Sequence, residues 1–159
     1  TNRDNIIGIQ SQIWSETIRN ENILDYMFMP NIIVFSQKAW SKDPKWMSIQ
    51  DQTEREITLN YEWNKFTNSI GQRVLPIVEN IYGGLTYDLP KPGGIIKNDS
   101  LYANTAFPGL NIKYTLDGSL PNIESMNYNN PVEIDQDDVI YLRLFDNKGR
   151  GGYPIQVDK

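Results

Sequence analysis

Cysteine and histidine are both absent from these 159 residues, and each absence excludes a class of chemistry. Without cysteine the chain forms no disulfide and offers no thiolate nucleophile. Without histidine it has no Ser-His triad, no Cys-His dyad and no His-ligated zinc. Any acid–base chemistry therefore falls to carboxylates, as it does in reactions such as glycoside hydrolysis.

Basic residues and long apolar runs are also scarce. The chain carries 15 Lys and Arg against 20 Asp and Glu, which gives a net charge of -5. Nucleic-acid binding depends on clustered basic side chains, so we expect no nucleic-acid partner. No apolar run approaches the roughly 18 residues of a membrane helix, so we expect no membrane span. Thr1 opens no signal peptide, an absence of little weight if the chain starts internally.

The first half of the sequence predicts one strand followed by helices. A compact apolar run predicts a strand at Asn5–Ile9, which continues into a polar loop. Two short helices are then predicted on either side of Pro30. Their apolar stripes are Leu24, Met27 and Phe28 before the proline, and Ile32, Phe35 and Ala39 after it.

A longer helix is predicted to follow a capping box formed by Thr53 and Glu56. Apolar residues continue at helical spacing through Trp63 to Ile70. Trp40 and Trp63 fall on helical stripes, so packing is the expected role of both indoles. Trp46 lies in a connection and is assigned to packing as well.

The second half alternates with the period of strands. Side chains of one face recur in two segments, Ile112, Tyr114 and Leu116, then Ile140, Leu142 and Leu144. Asp117-Gly118 provides turn chemistry between them. Short strands separated by such breaks predict a small antiparallel sandwich. We therefore place the domain boundary after residue 84, with one domain at 1–84 and a second at 85–159.

The predicted strand of the first half has no pairing partner of its own. An unpaired strand leaves backbone donors and acceptors unsatisfied, so we expect the partner strands to lie in polypeptide upstream of this sequence. A strand followed by helices is the order of the last unit of a (β/α) barrel.

The segment Ile7–Thr17 resembles the eighth-strand motif of family-twenty glycoside hydrolases, the chitobiase and β-N-acetylhexosaminidase group. It reads Ile-Gly-Ile-Gln-Ser-Gln-Ile-Trp-Ser-Glu-Thr. Tyr26–Pro30 and Ala39–Ser41 continue the resemblance into the following helix. Asn31 stands where the family usually has arginine, and Gln37-Lys38 replaces its usual small-acidic pair. These departures bear on helix packing more than on sugar contact.

The second half resembles the immunoglobulin-like domain that ends bacterial chitobiases. The segments that carry this resemblance are Tyr87–Gly93, Leu101–Asn104 and Ile112–Ser119. The resemblance implies an α+β fragment, in which the last strand and helices of a (β/α)8 barrel are followed by a small all-β immunoglobulin-like sandwich. By family habit it also implies a bacterial periplasmic, outer-membrane or secreted location.

Trp14 and Glu16 are the candidate substrate-binding residues. Active sites of (β/α) barrels lie at the carboxyl ends of the strands, where this loop would emerge. An indole packs against the C–H face of a pyranose and a carboxylate accepts hydrogen bonds from hydroxyls. Because the two residues are two positions apart in a segment predicted to be extended, both side chains would point to the same face. The resemblance implies that Trp14 walls the pocket and that Glu16 holds the 4- and 6-hydroxyls. Spacing alone favours the alternative, in which Trp14 is core and Glu16 caps or solvates the next helix.

For the whole protein the resemblance implies removal of terminal non-reducing N-acetylhexosamine from chitooligosaccharides by substrate-assisted retaining hydrolysis, without cofactor or metal. The family's acid belongs to an adjacent Asp-Glu pair, which is absent here. Asp137-Asp138 is expected to lie in a solvated turn. We therefore expect this fragment to be inactive by itself and to require its missing N-terminal part.

The sandwich leaves two further functions open. In one, three of its tyrosines, Tyr102, Tyr114 and Tyr128, form a sugar-stacking platform that would make it a carbohydrate-binding module. Core or cross-strand packing of these rings is the favoured interpretation. In that case the domain is a structural accessory to the barrel.

Overall fold

The computed structural model describes residue 5 and residues 7–158, which group into two compact units. The first unit extends to Glu62 and also contains Asn80–Asp88. The second contains Trp63–Glu79 and the chain from Leu89 onward. Because each compact unit contains two separate stretches of sequence, no single residue divides the units. The domain boundary after residue 84 stays a prediction.

The beginning of the first unit corrects the predicted strand. Residues 7–14 adopt neither helix nor strand, so the predicted strand does not form at 7–9 in this chain by itself, while residue 6 lies outside the described residues. A strand forms only where another strand pairs with it, and the described residues provide no partner for this segment. A 3-10 turn at Ser15–Thr17 follows, so Glu16 does not lie in extended backbone as predicted.

Two short helices meet at Pro30, as the sequence predicts. Helix α1 spans Glu21–Phe28 and helix α2 spans Asn31–Trp40. The side chain of Asn20 caps α1 by accepting a hydrogen bond from the Ile23 N–H at 3.0 Å. Asn20 satisfies a backbone donor that the first turn of a helix otherwise leaves unpaired.

Helix α3 spans Gln52–Ser69 and confirms the predicted long helix, but its cap is not the predicted one. Asp51 Oδ1 accepts the Glu54 N–H at 2.8 Å, so the aspartate rather than Thr53 caps the helix. The packing predicted for two tryptophans is also wrong in this chain, because Trp40 is 89% and Trp63 56% exposed. Trp46 is half-buried in the 3-10 turn at Lys45–Ser48.

A π-helical turn at Ile70–Val74 and a short helix α4 at Leu75–Val78 continue the chain after α3. Glu79 then forms hydrogen bonds with Asn147 and Lys148, which belong to the same unit. Its carboxylate accepts a hydrogen bond from Asn147 Nδ2 at 3.3 Å, and its carbonyl accepts one from Lys148 Nζ. Because Glu79 is only 4% exposed, these contacts fix the end of α4 against the strands.

The second half forms two antiparallel sheets, which confirms the α+β class with antiparallel strands. One sheet has the order β1-β2-β5 and the other the order β4-β3-β6-β7. The strands are β1 Gly93–Lys97, β2 Ser100–Asn104, β3 Asn111–Thr115, β4 Met126–Asn127, β5 Val132–Glu133, β6 Ile140–Phe145 and β7 Ile155–Val157. The (β/α)8 barrel and the immunoglobulin-like topology stay predictions.

The core of the second unit comes from the side chains that alternate inward. Leu101, Leu142 and Leu144 are fully buried, and Ile112 and Tyr114 are each 8% exposed. The two sheets touch at Gly94, where a Cβ atom would lie 2.7 Å from both Leu142 Cδ1 and Val157 Cγ2. Alternation in the sequence therefore identified the buried faces of β3 and β6 correctly.

None of the helices in the described part of the chain combines the length and apolar character needed to cross a membrane.

Gly71 provides a stability test of the second unit. A Cβ atom at this position would overlap the carbonyl oxygen of Pro108, a backbone atom that cannot move aside easily. Gly→Ala within a helix normally stabilises by up to about 1 kcal/mol. Here we expect Gly71→Ala to destabilise by about 1–3 kcal/mol, measured by denaturant unfolding. Gly8→Ala is the control, because its Cβ would meet nothing within 4 Å. Equal midpoints for the two variants would contradict the prediction.

The turn after β3 predicts a pKa effect. Asp117 Oδ1 accepts hydrogen bonds from the Ser119 hydroxyl at 2.6 Å and from the Ser119 N–H at 3.0 Å, and these lower the pKa of Asp117. A lowered folded-state pKa stabilises the protein above the ordinary carboxyl pKa and loses that effect as pH falls through the folded value. We expect Ser119→Ala to raise the pKa of Asp117 in an NMR titration. Ser100→Ala is the control, and an unchanged Asp117 titration in Ser119→Ala would disprove the assignment.

Candidate functional site

The first unit contains an open cavity of about 710 Å³ between the segment that precedes α1 and the two short helices. Its lining combines polar and aromatic side chains from the chain segment with apolar side chains from the helices. The lining residues are Gln10–Trp14, Glu16, Thr17, Met27, Phe28, Asn31, Ile32 and Phe35. A cleft of this size and mixed lining is suited to a small-molecule ligand.

The structure brings the two sequence-predicted site residues together at this cavity. Trp14 precedes the 3-10 turn and is 69% exposed, whereas Glu16 lies within the turn and is also exposed. The carboxylate of Glu16 makes no hydrogen bond or ion pair within the described residues. Asn20 rather than Glu16 caps α1, and Trp14 is not in a core, so neither packing nor capping accounts for the pair.

The backbone of the turn explains how both side chains reach the same cavity. The Ile18 N–H donates to the Ser15 carbonyl at 3.1 Å and closes the turn. Thr17 lies against α1, with its hydroxyl 3.8 Å from the Met27 sulfur. The turn therefore directs Glu16 back toward the cavity that Trp14 borders, although the two residues do not share an extended strand.

The apolar wall of the cavity was not identified as part of a site from the sequence. Met27, Phe28, Ile32 and Phe35 were assigned only to helix packing, because helical spacing does not reveal what an apolar face meets. The side-chain amide of Asn31 donates to the Met27 carbonyl at 3.2 Å across the α1–α2 junction. The sequence signal for this wall is the pair of short helices joined at Pro30, because such a junction can place the apolar faces of both helices against the same cavity.

The described lining of the cavity does not provide the two carboxylates of the usual acid–base chemistry. Glu16 is the carboxylate among its lining residues, whereas glycoside hydrolysis ordinarily uses a pair. Elsewhere in the described part of the chain, no group of three or more metal-ligating side chains is placed to hold a metal ion. An exposed indole beside a free carboxylate is a suitable arrangement for a sugar ring with neighbouring hydroxyls.

The other candidates from the sequence are structural. Asp138 Oδ2 accepts the Asp135 N–H at 2.8 Å, and the Asp138 N–H donates to the Asp135 carbonyl at 3.2 Å. Asp137-Asp138 therefore forms part of a turn, as predicted.

Packing of the tyrosine rings, the interpretation that the sequence favours, is confirmed for Tyr114 and Tyr128. Tyr114 is buried and packs edge-to-face on Tyr128, with ring centroids 6.5 Å apart. Tyr102 lies on the outer side of β2 and is 40% exposed. Packing therefore accounts for two of the three rings.

Comparison with known proteins places this cavity within a catalytic-domain sequence. Residues 1–43 match the catalytic domain of glycosyl hydrolase family 20, and every cavity-lining residue lies within that match. Residues 79–152 match the chitobiase/beta-hexosaminidase C-terminal domain. These two matches support the interpretation of the chain as a C-terminal part of a family-20 glycosyl hydrolase. The family resemblance drawn from the Trp14 motif is thereby confirmed.

Two curated relatives show how much of a family-20 protein these residues represent. An N,N'-diacetylchitobiase of Vibrio harveyi is 34% identical over 70% of this chain but over only 13% of its own length. A beta-hexosaminidase of Vibrio vulnificus is 33% identical over 70% of this chain and 15% of its own length. The chain thus spans about one-seventh of the curated relatives that it matches.

Proposed function

We propose that this chain is the C-terminal portion of a β-N-acetylhexosaminidase and forms one side of its sugar pocket. The observation that carries the proposal is the position of Trp14 and Glu16. Both line an open cavity within the family-20 catalytic match; Trp14 is 69% exposed, and Glu16 has no hydrogen-bond partner among the described residues. The names of the two curated relatives support a sugar substrate that contains N-acetylhexosamine.

Each of the two side chains suits one part of a terminal sugar. The exposed indole of Trp14 offers a flat apolar surface to the C–H face of the ring. The unpaired carboxylate of Glu16 accepts hydrogen bonds from the 4- and 6-hydroxyls, which a non-reducing end leaves free. Both groups bind and orient the sugar, and neither moves a proton in the chemical step.

The chemistry itself depends on groups outside these 159 residues. In substrate-assisted hydrolysis the 2-acetamido oxygen attacks the anomeric carbon, the glycosidic bond breaks, and an acid protonates the leaving oxygen. Water then opens the resulting cyclic intermediate with retention. The acid and the aspartate that orients the acetamido group belong to the adjacent pair that this sequence lacks.

A (β/α)8 barrel would also account for the unpaired backbone of residues 7–14. This segment would become the last barrel strand when neighbouring strands lie beside it, and its apolar side chains would then be covered. Ile7, now fully exposed, and Trp40 at 89% exposure are the clearest examples of surface that needs such a cover. The strands after Gly93 would form the immunoglobulin-like domain.

A chimera tests the assignment of the two binding residues. This chain would replace the aligned segment of the Vibrio harveyi chitobiase, and hydrolysis of N,N'-diacetylchitobiose would be measured. We expect Trp14→Ala and Glu16→Gln each to lower kcat/KM about 10- to 100-fold, since each removes a ligand contact that the cavity does not replace.

Tyr153→Ala is the control, because this aromatic side chain is 64% exposed in the second unit and does not line the cavity. We expect it to change kcat/KM less than about two-fold. The proposal is wrong if Trp14→Ala and Tyr153→Ala lower kcat/KM equally.

The isolated chain provides a separate test. We expect the purified 159 residues to release no chromophore from a chromogenic N-acetylglucosaminide, because the sequence contains no Asp-Glu pair. The unmodified Vibrio harveyi enzyme serves as the positive control. Turnover by the purified chain above the level of a mock purification would refute the proposal that these residues bind the sugar without catalysing its hydrolysis.

A further inference from the structure

Asp88 holds the end of helix α1 through two hydrogen bonds within the first unit. The Tyr26 hydroxyl donates to Asp88 Oδ1 at 2.7 Å, across 62 residues of sequence. The backbone N–H of Asp88 donates to the carbonyl of Met29, the C-cap residue of α1, at 3.3 Å. One residue therefore contacts both the side and the end of the same helix turn.

The turn that Asp88 holds is the part of α1 that borders the cavity. Met27 and Phe28 lie between the two attachment points, Tyr26 and Met29, and both line the cavity. The carbonyl of Met27 also accepts the hydrogen bond from Asn31 that joins α1 to α2. A shift of this turn would therefore move the apolar wall of the sugar pocket.

The exposure of the Tyr26–Asp88 pair argues against a purely stabilising role. Tyr26 is 36% exposed and Asp88 is also exposed, and bonds to exposed charged groups contribute little to global stability. A hydrogen bond of this kind can still select one position of a short helix, because α1 has only 8 residues and none is buried. The Tyr26–Asp88 hydrogen bond is therefore better suited to fixing the position of α1 beside the cavity than to raising the stability of the whole unit.

We propose that Asp88 is a positioning residue for the sugar pocket, which sets the cavity wall of Met27 and Phe28 through Tyr26 and Met29. Asp88 does not line the cavity and touches no substrate in this role. The inference rests on the proposed function for its effect on sugar binding, but the contact itself can be tested independently.

The first experiment follows the methyl groups of the four methionines by NMR in the 159-residue chain. We expect Tyr26→Phe and Asp88→Ala to shift the Met27 and Met29 signals alike. Met126 lies in β4 and its signal should remain in place.

Tyr61→Phe is the matched control, because this tyrosine is 67% exposed on α3 and makes no side-chain hydrogen bond in the described residues. The double variant Tyr26→Phe/Asp88→Ala should move the Met27 signal no further than either single change. Met27 signals that stay in place in both single variants would overturn the proposal without affecting the proposed function.

The second experiment measures the kinetics of the chimera described above. We expect Asp88→Ala and Tyr26→Phe to raise KM about five-fold with kcat changed less than two-fold, because one hydrogen bond that orders a binding wall is lost. A merely structural role would instead reduce the amount of active enzyme, which lowers the apparent kcat and leaves KM unchanged. That second pattern would overturn the positioning role. If Trp14→Ala left the kinetics unchanged in the same chimera, the proposed function would fail separately from the methyl-group result.

Discussion

The structure depends on hydrogen bonding between the backbones of neighbouring strands, which strands β3 and β6 have and residues 7–14 do not have among the described residues. Strands β3 and β6 exchange hydrogen bonds along five residue pairs, and the side chains that alternate inward are buried as a result. Residues 7–14 carry a similar proportion of apolar side chains, but the described residues place no strand beside them. An apolar run becomes a strand only when its donors and acceptors are satisfied by a neighbour, and otherwise it stays open to solvent.

The openness of residues 7–14 is also what makes the candidate site accessible. The cavity lies between this unpaired segment and two short helices, and Trp14 and Glu16 are among its lining residues. Most of the acidic side chains discussed above serve local structure instead. Asp51 caps a helix, and Asp117 and Asp138 accept backbone N–H groups within turns. Glu16 differs from these because its carboxylate has no hydrogen-bond partner among the described residues.

Local patterns in the sequence predicted most of the regular structure. Helical spacing located α1, α2 and the long α3, and period-two alternation located β3 and β6 with the correct inward faces. The motif around Trp14 identified the family and the two residues that the structure places at the cavity. These features succeed because they depend on residues a few positions apart, whose relation the backbone geometry fixes directly.

The amino-acid sequence therefore determined the helices, the alternating strands, the family and the pairing of an indole with a carboxylate in one motif. Tertiary structure decided which of those elements found partners. It left the predicted first strand unpaired, exposed Trp40 and Trp63, and joined Tyr26 to Asp88 over 62 residues. Periodicity tells which face of an element is apolar, but what lies against that face depends on residues distant in sequence, and their position is set only when the chain folds.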